Sequence, residues 1–288
     1  MPELARALTD GPVVLDGGLG TLLEQGGHDL SSHLWSARLL LESPATIRDA
    51  HREFYAAGAA VGISASYQVT YEGLASVGID HEGTNDLLRR SVGLLRDARD
   101  DSGAPGWVAA SVGPYGAMLA DGSEYRGDYG LSVAQLREWH APRIDVLAIE
   151  TIPCLAEVEA VISHVSGTGV PAWIAVTAAM GRLRSGESLA EAFTMAHETE
   201  EVIAVGINCS DPLDVASAIE AARSVTDKPL VVYPNSGEQW DAKNRRWMGH
   251  PGFPASLVRE WVDAGARLVG GCCRVGPQEI RAIADILG

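Results

Sequence analysis

The chain has 288 residues, with 38 Asp+Glu against 22 Lys+Arg and a formal charge of −16. Hydrophobic residues make up 46% and charged residues 21%, a globular composition on a length that builds a core without disulfide staples. So acidic a balance excludes a phosphate-neutralising nucleic-acid footprint and opposes binding to an anionic membrane surface.

Short, continuous apolar runs alternate with longer helical patterns from one end to the other. Strands are predicted at Pro12–Leu15, Ala59–Ala65, Trp107–Val112, Val146–Ile149, Ala172–Val176, Val202–Ile207, Leu230–Tyr233 and Arg267–Val269. Runs of this kind suit strands buried on both faces, as in parallel sheets. Helices are predicted between and after them at Pro44–Ala57, Asn85–Arg99, Cys154–Val165, Leu189–Glu198, Asp214–Val225, Ala255–Asp263 and Gln278–Leu287. Helix punctuation agrees. Ser43-Pro44 and Asp211-Pro212 place a cap residue before a proline. Ser188-Leu189-Ala190-Glu191 reads as a capping box, and Gly265 follows its helix where a left-handed cap is wanted.

Eight strand–helix units in one chain predict an α/β fold, a (β/α)8 TIM barrel as a single domain over residues 1–288. The rival is a doubly wound open sheet. Its glycine fingerprint is incomplete, because Leu23 stands where the third glycine after Asp16-Gly17-Gly18-Leu19-Gly20 belongs. The N-terminus has no charged-then-apolar leader pattern, and no stretch has about 18 uninterrupted apolar residues. Four cysteines, two of them adjacent, make a poor disulfide framework. Free thiols in a reducing, cytoplasmic setting are expected.

Barrel chemistry collects at the C-terminal ends of the strands. Those ends carry Asp16-Gly17-Gly18, Ser64–Gln68, Gly113-Pro114-Tyr115, Glu150-Thr151, Thr177, Asn208-Cys209, Asn235-Ser236-Gly237 and Gly271-Cys272-Cys273-Arg274. Cys209, Cys272 and Cys273 thus meet at one mouth. Three thiolates form a zinc site one ligand short of a tetrahedron, the mark of a catalytic ion. The alternative is that each Cys is a small buried hydrophobe. Consecutive strand residues point to opposite faces, so packing alone gives no reason for Cys272-Cys273. Gly270-Gly271 is expected to supply the freedom that brings both sulfurs to one ion. Cys154 reads as packing. Asp16 and Glu150 share the mouth. They could form a glycosidase-style acid/base pair or cap loops. Beside a thiolate-bound zinc, the preferred reading is that they bind the ammonium of an amino acid, with the backbone N–H groups of the Gly17-Gly18 turn taking its carboxylate.

Together these motifs resemble the homocysteine S-methyltransferase family. The resemblance spans essentially the whole chain and rests on Asp16–Thr21, Ser64–Gln68, Glu150–Pro153, Gly206–Cys209 and Gly270–Arg274. It implies zinc on Cys209, Cys272 and Cys273, with homocysteine bound through its thiolate at the fourth position. Acceptor binding then falls to Asp16, Gly17, Ser66, Tyr67, Glu150, Asn208 and Asn235. Tyr233–Glu238 looks like the short, S-methylmethionine-using branch, with S-adenosylmethionine as the weaker donor. No residues are left for folate or cobalamin modules or for the betaine branch's extension. Tyr115, Trp240 and Trp247 are candidate contacts for the donor sulfonium, and Asn235 and Ser236 for its amino-acid end. Two other classes stay open: a metal-independent barrel lyase using Asp16 and Glu150, and a non-catalytic zinc-binding relative.

Overall fold

The computed structural model describes residues 3–28, 36–103, 105–114, 144–241, 246–250 and 252–288. Its centre is one sheet of eight parallel strands: β1 (Val13–Val14), β2 (Val61–Ile63), β3 (Trp107–Val112), β4 (Val146–Ile152), β5 (Ala172–Val176), β6 (Val202–Asn208), β7 (Leu230–Tyr233) and β8 (Ala266–Val269). Neighbours in sequence are neighbours in the sheet from β2 to β8, and β8 pairs with β1. A parallel bridge between Leu15 and Val61 joins β1 to β2. There Ala60 N–H donates to Val14 O and Asp16 N–H to Val61 O, at 2.8 and 3.0 Å. The sheet therefore closes on itself as a (β/α)8 TIM barrel, and every predicted strand is a strand of it.

Strand alternation divides the apolar residues between two cores. Val146, Ala148, Trp173, Ala175, Val231, Tyr233 and Leu268 pack in the lumen. Leu147, Ile149, Ile174, Val176, Val232 and Val269 pack outward under the helices. The predicted helices are present within a few residues at their ends, the largest difference being His81–Ser102 for Asn85–Arg99. Ser188 caps its helix by accepting from Glu191 N–H, and Gly265 has φ +114°.

Four α-helices among the described residues were not expected: Glu3–Asp10, Leu19–Gln25, Ser36–Glu42 and Tyr71–Ala75. Glu3–Asp10 precedes β1 and buries Leu4 and Leu8 against the lumen residues, stopping the N-terminal end of the barrel. At the opposite end, Ala178–Ala179 pairs with Arg182–Leu183 after β5, and Gln239–Asp241 with Arg246–Met248 after β7, both antiparallel.

Candidate active site

Three loops bring the cysteines together. Cys209 follows β6 in the left-handed region at φ +46°. Its N–H donates to Tyr233 O at 3.3 Å, and its carbonyl accepts from Thr177 Oγ1 at 3.2 Å. After β8, Cys272 N–H donates to Pro234 O at 2.8 Å. Cys273 N–H donates to Asn235 Oδ1, and Ser236 N–H to Cys273 O, both at 3.1 Å. Cys273 Sγ lies 4.0 Å from Cys209 Sγ and 3.9 Å from Cys272 Sγ. The sulfurs of Cys209 and Cys272 approach more closely still, their Cα atoms 5.5 Å apart, so all three sulfurs form one cluster. Cys154 is buried, away from this cluster, as a packing residue.

The glycines before the cysteines act differently from the sequence expectation. Neither Gly270 nor Gly271 has a positive φ. They permit close approach: a Cβ on Gly270 would lie 2.5 Å from Leu15 Cβ and 2.6 Å from Asp16 O. The left-handed turn falls instead on Arg274, at φ +66°. That residue is held by its N–H to Thr21 Oγ1 at 2.8 Å and by Nε to Glu238 Oε2 at 3.0 Å. Ser236 Oγ donates to the same carboxylate oxygen. This Ser236–Glu238–Arg274 latch between the seventh and eighth loops was not foreseen.

Both inward carboxylates are buried. Asp16 Oδ2 accepts from Ile63 N–H at 2.7 Å, while Oδ1 has no partner among the described residues. Burial holds its pKa well above the usual carboxylate range, and the nearby Glu150 adds to the rise. Glu150 Oε1 accepts from Ser111 Oγ at 2.5 Å, and Tyr233 adds a second hydroxyl. Burial nevertheless pushes Glu150 up to about 7. Cys273 is pushed up to about 12 by burial and by the negative charge of Glu150 and Glu24.

Other expected acceptor contacts are partly committed elsewhere. Gly18 N–H donates to Val275 O at 2.9 Å, which takes it out of the expected carboxylate cradle and leaves Gly17 as that turn's candidate. Ser66 Oγ donates to Ser111 O and contacts Ser64 Oγ, both at 2.8 Å. Tyr67 lies against Gly113, whose Cα has no room for a Cβ beside the ring. Asn208 is fully buried and pairs with Thr151: its Oδ1 accepts from Thr151 N–H at 2.7 Å, and its Nδ2 donates to Thr151 Oγ1 at 2.9 Å. That pairing secures Thr151 at φ +63°, an uncommon conformation for a β-branched residue. Asn235 Oδ1 is used by Cys273. Tyr115 and the side chain of Trp240 lie outside the described residues.

The sequence profile described as homocysteine S-methyltransferase matches residues 13–287. The Homocysteine S-methyltransferase YbgG of Bacillus subtilis is 41% identical over 298 aligned positions, covering 94% of this chain and 93% of its own. The chain belongs to the homocysteine S-methyltransferase family.

A solved homocysteine methyltransferase, MmuM from Escherichia coli in its metallated form, superimposes with a TM-score of 0.85 at 37% identity, over 98% of this chain and 99% of that one. The oxidised form of MmuM gives the same score and identity, over 98% of each chain. The three sulfurs of the present family member lie within 4.8 Å of one another. Tetrahedral thiolate coordination with metal–sulfur bonds near ~2.3 Å separates neighbouring sulfurs by about 3.8 Å. Both distances from Cys273 match that edge. The third pair, Cys209 and Cys272, sits closer than that edge. The donor set then fits a soft or borderline ion with one position left for a ligand.

Proposed function

We propose that this protein transfers a methyl group from a sulfonium donor to the thiol sulfur of L-homocysteine, giving methionine, with zinc held by Cys209, Cys272 and Cys273. The observation that carries this reading is the gathering of those three sulfurs within 4.8 Å at the barrel mouth, from loops 63 residues apart. When bound, the ion supplies a Lewis acid that keeps the acceptor sulfur a thiolate at neutral pH.

The chain's own groups place the acceptor. Asp16 offers a buried, unpartnered carboxylate oxygen, and Glu150 offers a second carboxylate. A substrate ammonium satisfies both, and its charge favours their ionised forms. Gly17 N–H is the turn donor left for the substrate carboxylate.

In the transfer, a lone pair of the acceptor sulfur forms the new S–CH3 bond. The bond from methyl to the sulfonium sulfur breaks, and its electron pair stays on the donor as a neutral thioether. No general base acts at the methyl group. Because the donor's positive charge disappears, strong binding of that charge would favour the ground state. The residues around it should therefore hold its amino-acid end, with Asn235 and Ser236 as candidates, more than its sulfur.

S-methylmethionine is the preferred donor and S-adenosylmethionine the lesser one, since the strand-seven loop suits a small amino-acid end. Small molecules, not nucleic acid or membranes, are the partners. Among the described residues, no helix is long and apolar enough to cross a membrane. Thiolate ligands that oxidise readily call for a reducing, cytoplasmic setting.

The test is a donor panel on reduced, zinc-loaded protein with homocysteine, reading methionine by mass. Turnover with S-methylmethionine above S-adenosylmethionine, and none with betaine or methyltetrahydrofolate, supports the reading. A protein that holds no zinc and forms no methionine would point instead to a lyase-type barrel working through Asp16 and Glu150. Zinc binding without methionine formation from any donor would mark a non-catalytic relative.

A further inference from the structure

We propose that Tyr233, braced by Trp173, is a positioning residue that fixes how Glu150 meets the acceptor's ammonium. By this means the barrel interior selects an amino-acid thiol over a plain thiol. The inference rests on the acceptor reading above and concerns residues beneath the mouth.

Tyr233 ends β7 and is 1% exposed, and Trp173 of β5 is fully buried. Both occupy the lumen. Their rings meet edge to face, with centroids 6.5 Å apart and an interplanar angle of 85°. Trp173 Nε1 donates to Tyr233 Oη at 3.1 Å.

The direction of every bond follows from donor chemistry. An indole N–H can only donate, so the tyrosine oxygen accepts there. Its single proton is then free for the Glu150 carboxylate, with which it hydrogen-bonds. On the other side, Ser111 Oγ donates to Glu150 Oε1. Ser111 is set in turn by its N–H to Ser64 Oγ at 3.1 Å and by Ser66 Oγ, which donates to its carbonyl.

Two hydroxyls anchored on opposite sides of the lumen thus converge on one carboxylate. A carboxylate offers roughly four lone-pair sites. Two are taken by fixed donors, so the remainder present a defined geometry to a cation. Removing the Tyr233 hydroxyl frees one side of Glu150 to rotate and leaves the Trp173 N–H without its acceptor. Cys209 N–H donates to the Tyr233 backbone carbonyl, which the substitution leaves in place, so the zinc cysteines should keep the metal.

The experiment compares L-homocysteine with 4-mercaptobutyrate, which is homocysteine without its amino group, as ligands of reduced, zinc-loaded protein. Dissociation constants are measured by calorimetry for wild type, Tyr233→Phe and Trp173→Phe, with zinc content determined in each. Tyr233→Phe is expected to weaken homocysteine about tenfold or more, the loss of one charge-assisted bond. The 4-mercaptobutyrate constant should move less than about twofold, and zinc should stay at one per chain. Trp173→Phe should shift homocysteine in the same direction by a smaller factor. Equal weakening of both ligands, or no change in either, in Tyr233→Phe overturns the proposal; if that variant fails to fold, the same outcomes in Trp173→Phe do so. A wild-type protein that does not prefer homocysteine to 4-mercaptobutyrate overturns the acceptor reading itself.

Discussion

Replacing Glu150 by glutamine should make the protein more stable and a poorer binder of its acceptor. Burial raises the Glu150 pKa from 4.5 to about 7. Between those values the folded chain keeps a proton that the unfolded chain has lost. The stability tied to that proton is full below pH 4.5, declines as pH rises, and is gone above the folded pKa. A shift of this size, at about 1.4 kcal/mol per pKa unit, amounts to about 3 kcal/mol. Glutamine has no proton to lose, and its amide oxygen still accepts from Ser111 and Tyr233. Zinc-free Glu150→Gln should therefore match wild type near pH 4.5 and exceed it by up to about 3 kcal/mol at pH 8. Homocysteine binding should move the other way. Truncating one partner of a buried charged pair costs ~2–5 kcal/mol, at least about 30-fold in Kd. Urea unfolding of both proteins across pH 5–8 gives the first quantity, and titration of the zinc-loaded proteins gives the second. Parallel stability profiles would refute the buried-carboxylate argument. An unchanged homocysteine Kd with normal zinc content would refute the ammonium assignment.

Cys209→Ala, Cys272→Ala and Cys273→Ala should each lose zinc and turnover, whereas Cys154→Ala should keep both; metal analysis after dialysis decides, and stoichiometric zinc in Cys272→Ala contradicts the ligand set. Asn208→Ala strips Thr151 of two part-buried hydrogen bonds, so it should cost about 1–3 kcal/mol in urea unfolding; a loss under about 0.5 kcal/mol would mean that Thr151 holds its left-handed turn unaided. Lys228 Nζ donates to the carbonyls of Ala196, Thr199 and Val202 at 3.2, 2.7 and 2.6 Å, before the N-terminal end of β7 and away from the mouth. Lys228→Met should cost about 2–4 kcal/mol of stability while leaving the homocysteine KM of the zinc-loaded enzyme unchanged, and a shifted KM would show that the two ends of the barrel are coupled.

The alternation of strands and helices was legible because parallel strands are buried on both faces and read as unbroken apolar runs. Residue chemistry also carried over. Cys209, Cys272 and Cys273 stood at strand ends, so their convergence followed from barrel geometry alone. Asp16 and Glu150 were legible for the same reason, as charged residues closing apolar runs. The same double burial hid what lies in the lumen. When both faces of a strand are apolar, parity cannot be read from the pattern, so Trp173 and Tyr233 looked like any other strand residues. Their meeting with Glu150 and Ser111 depends on the register of residues 23 to 122 positions apart in the chain, and closure of the sheet sets that register. Backbone detail at the mouth was decided there too. The sequence pointed to glycines as the source of unusual turns, yet beside Gly237 the non-glycine residues Thr151, Cys209 and Arg274 are left-handed too. Each is held by partners distant in the chain: Asn208 for Thr151, Tyr233 for Cys209, Thr21 and Glu238 for Arg274. Local sequence specifies which elements form. Strain of this kind persists only where distant partners supply the hydrogen bonds that offset it, and those partners exist only once the barrel has closed.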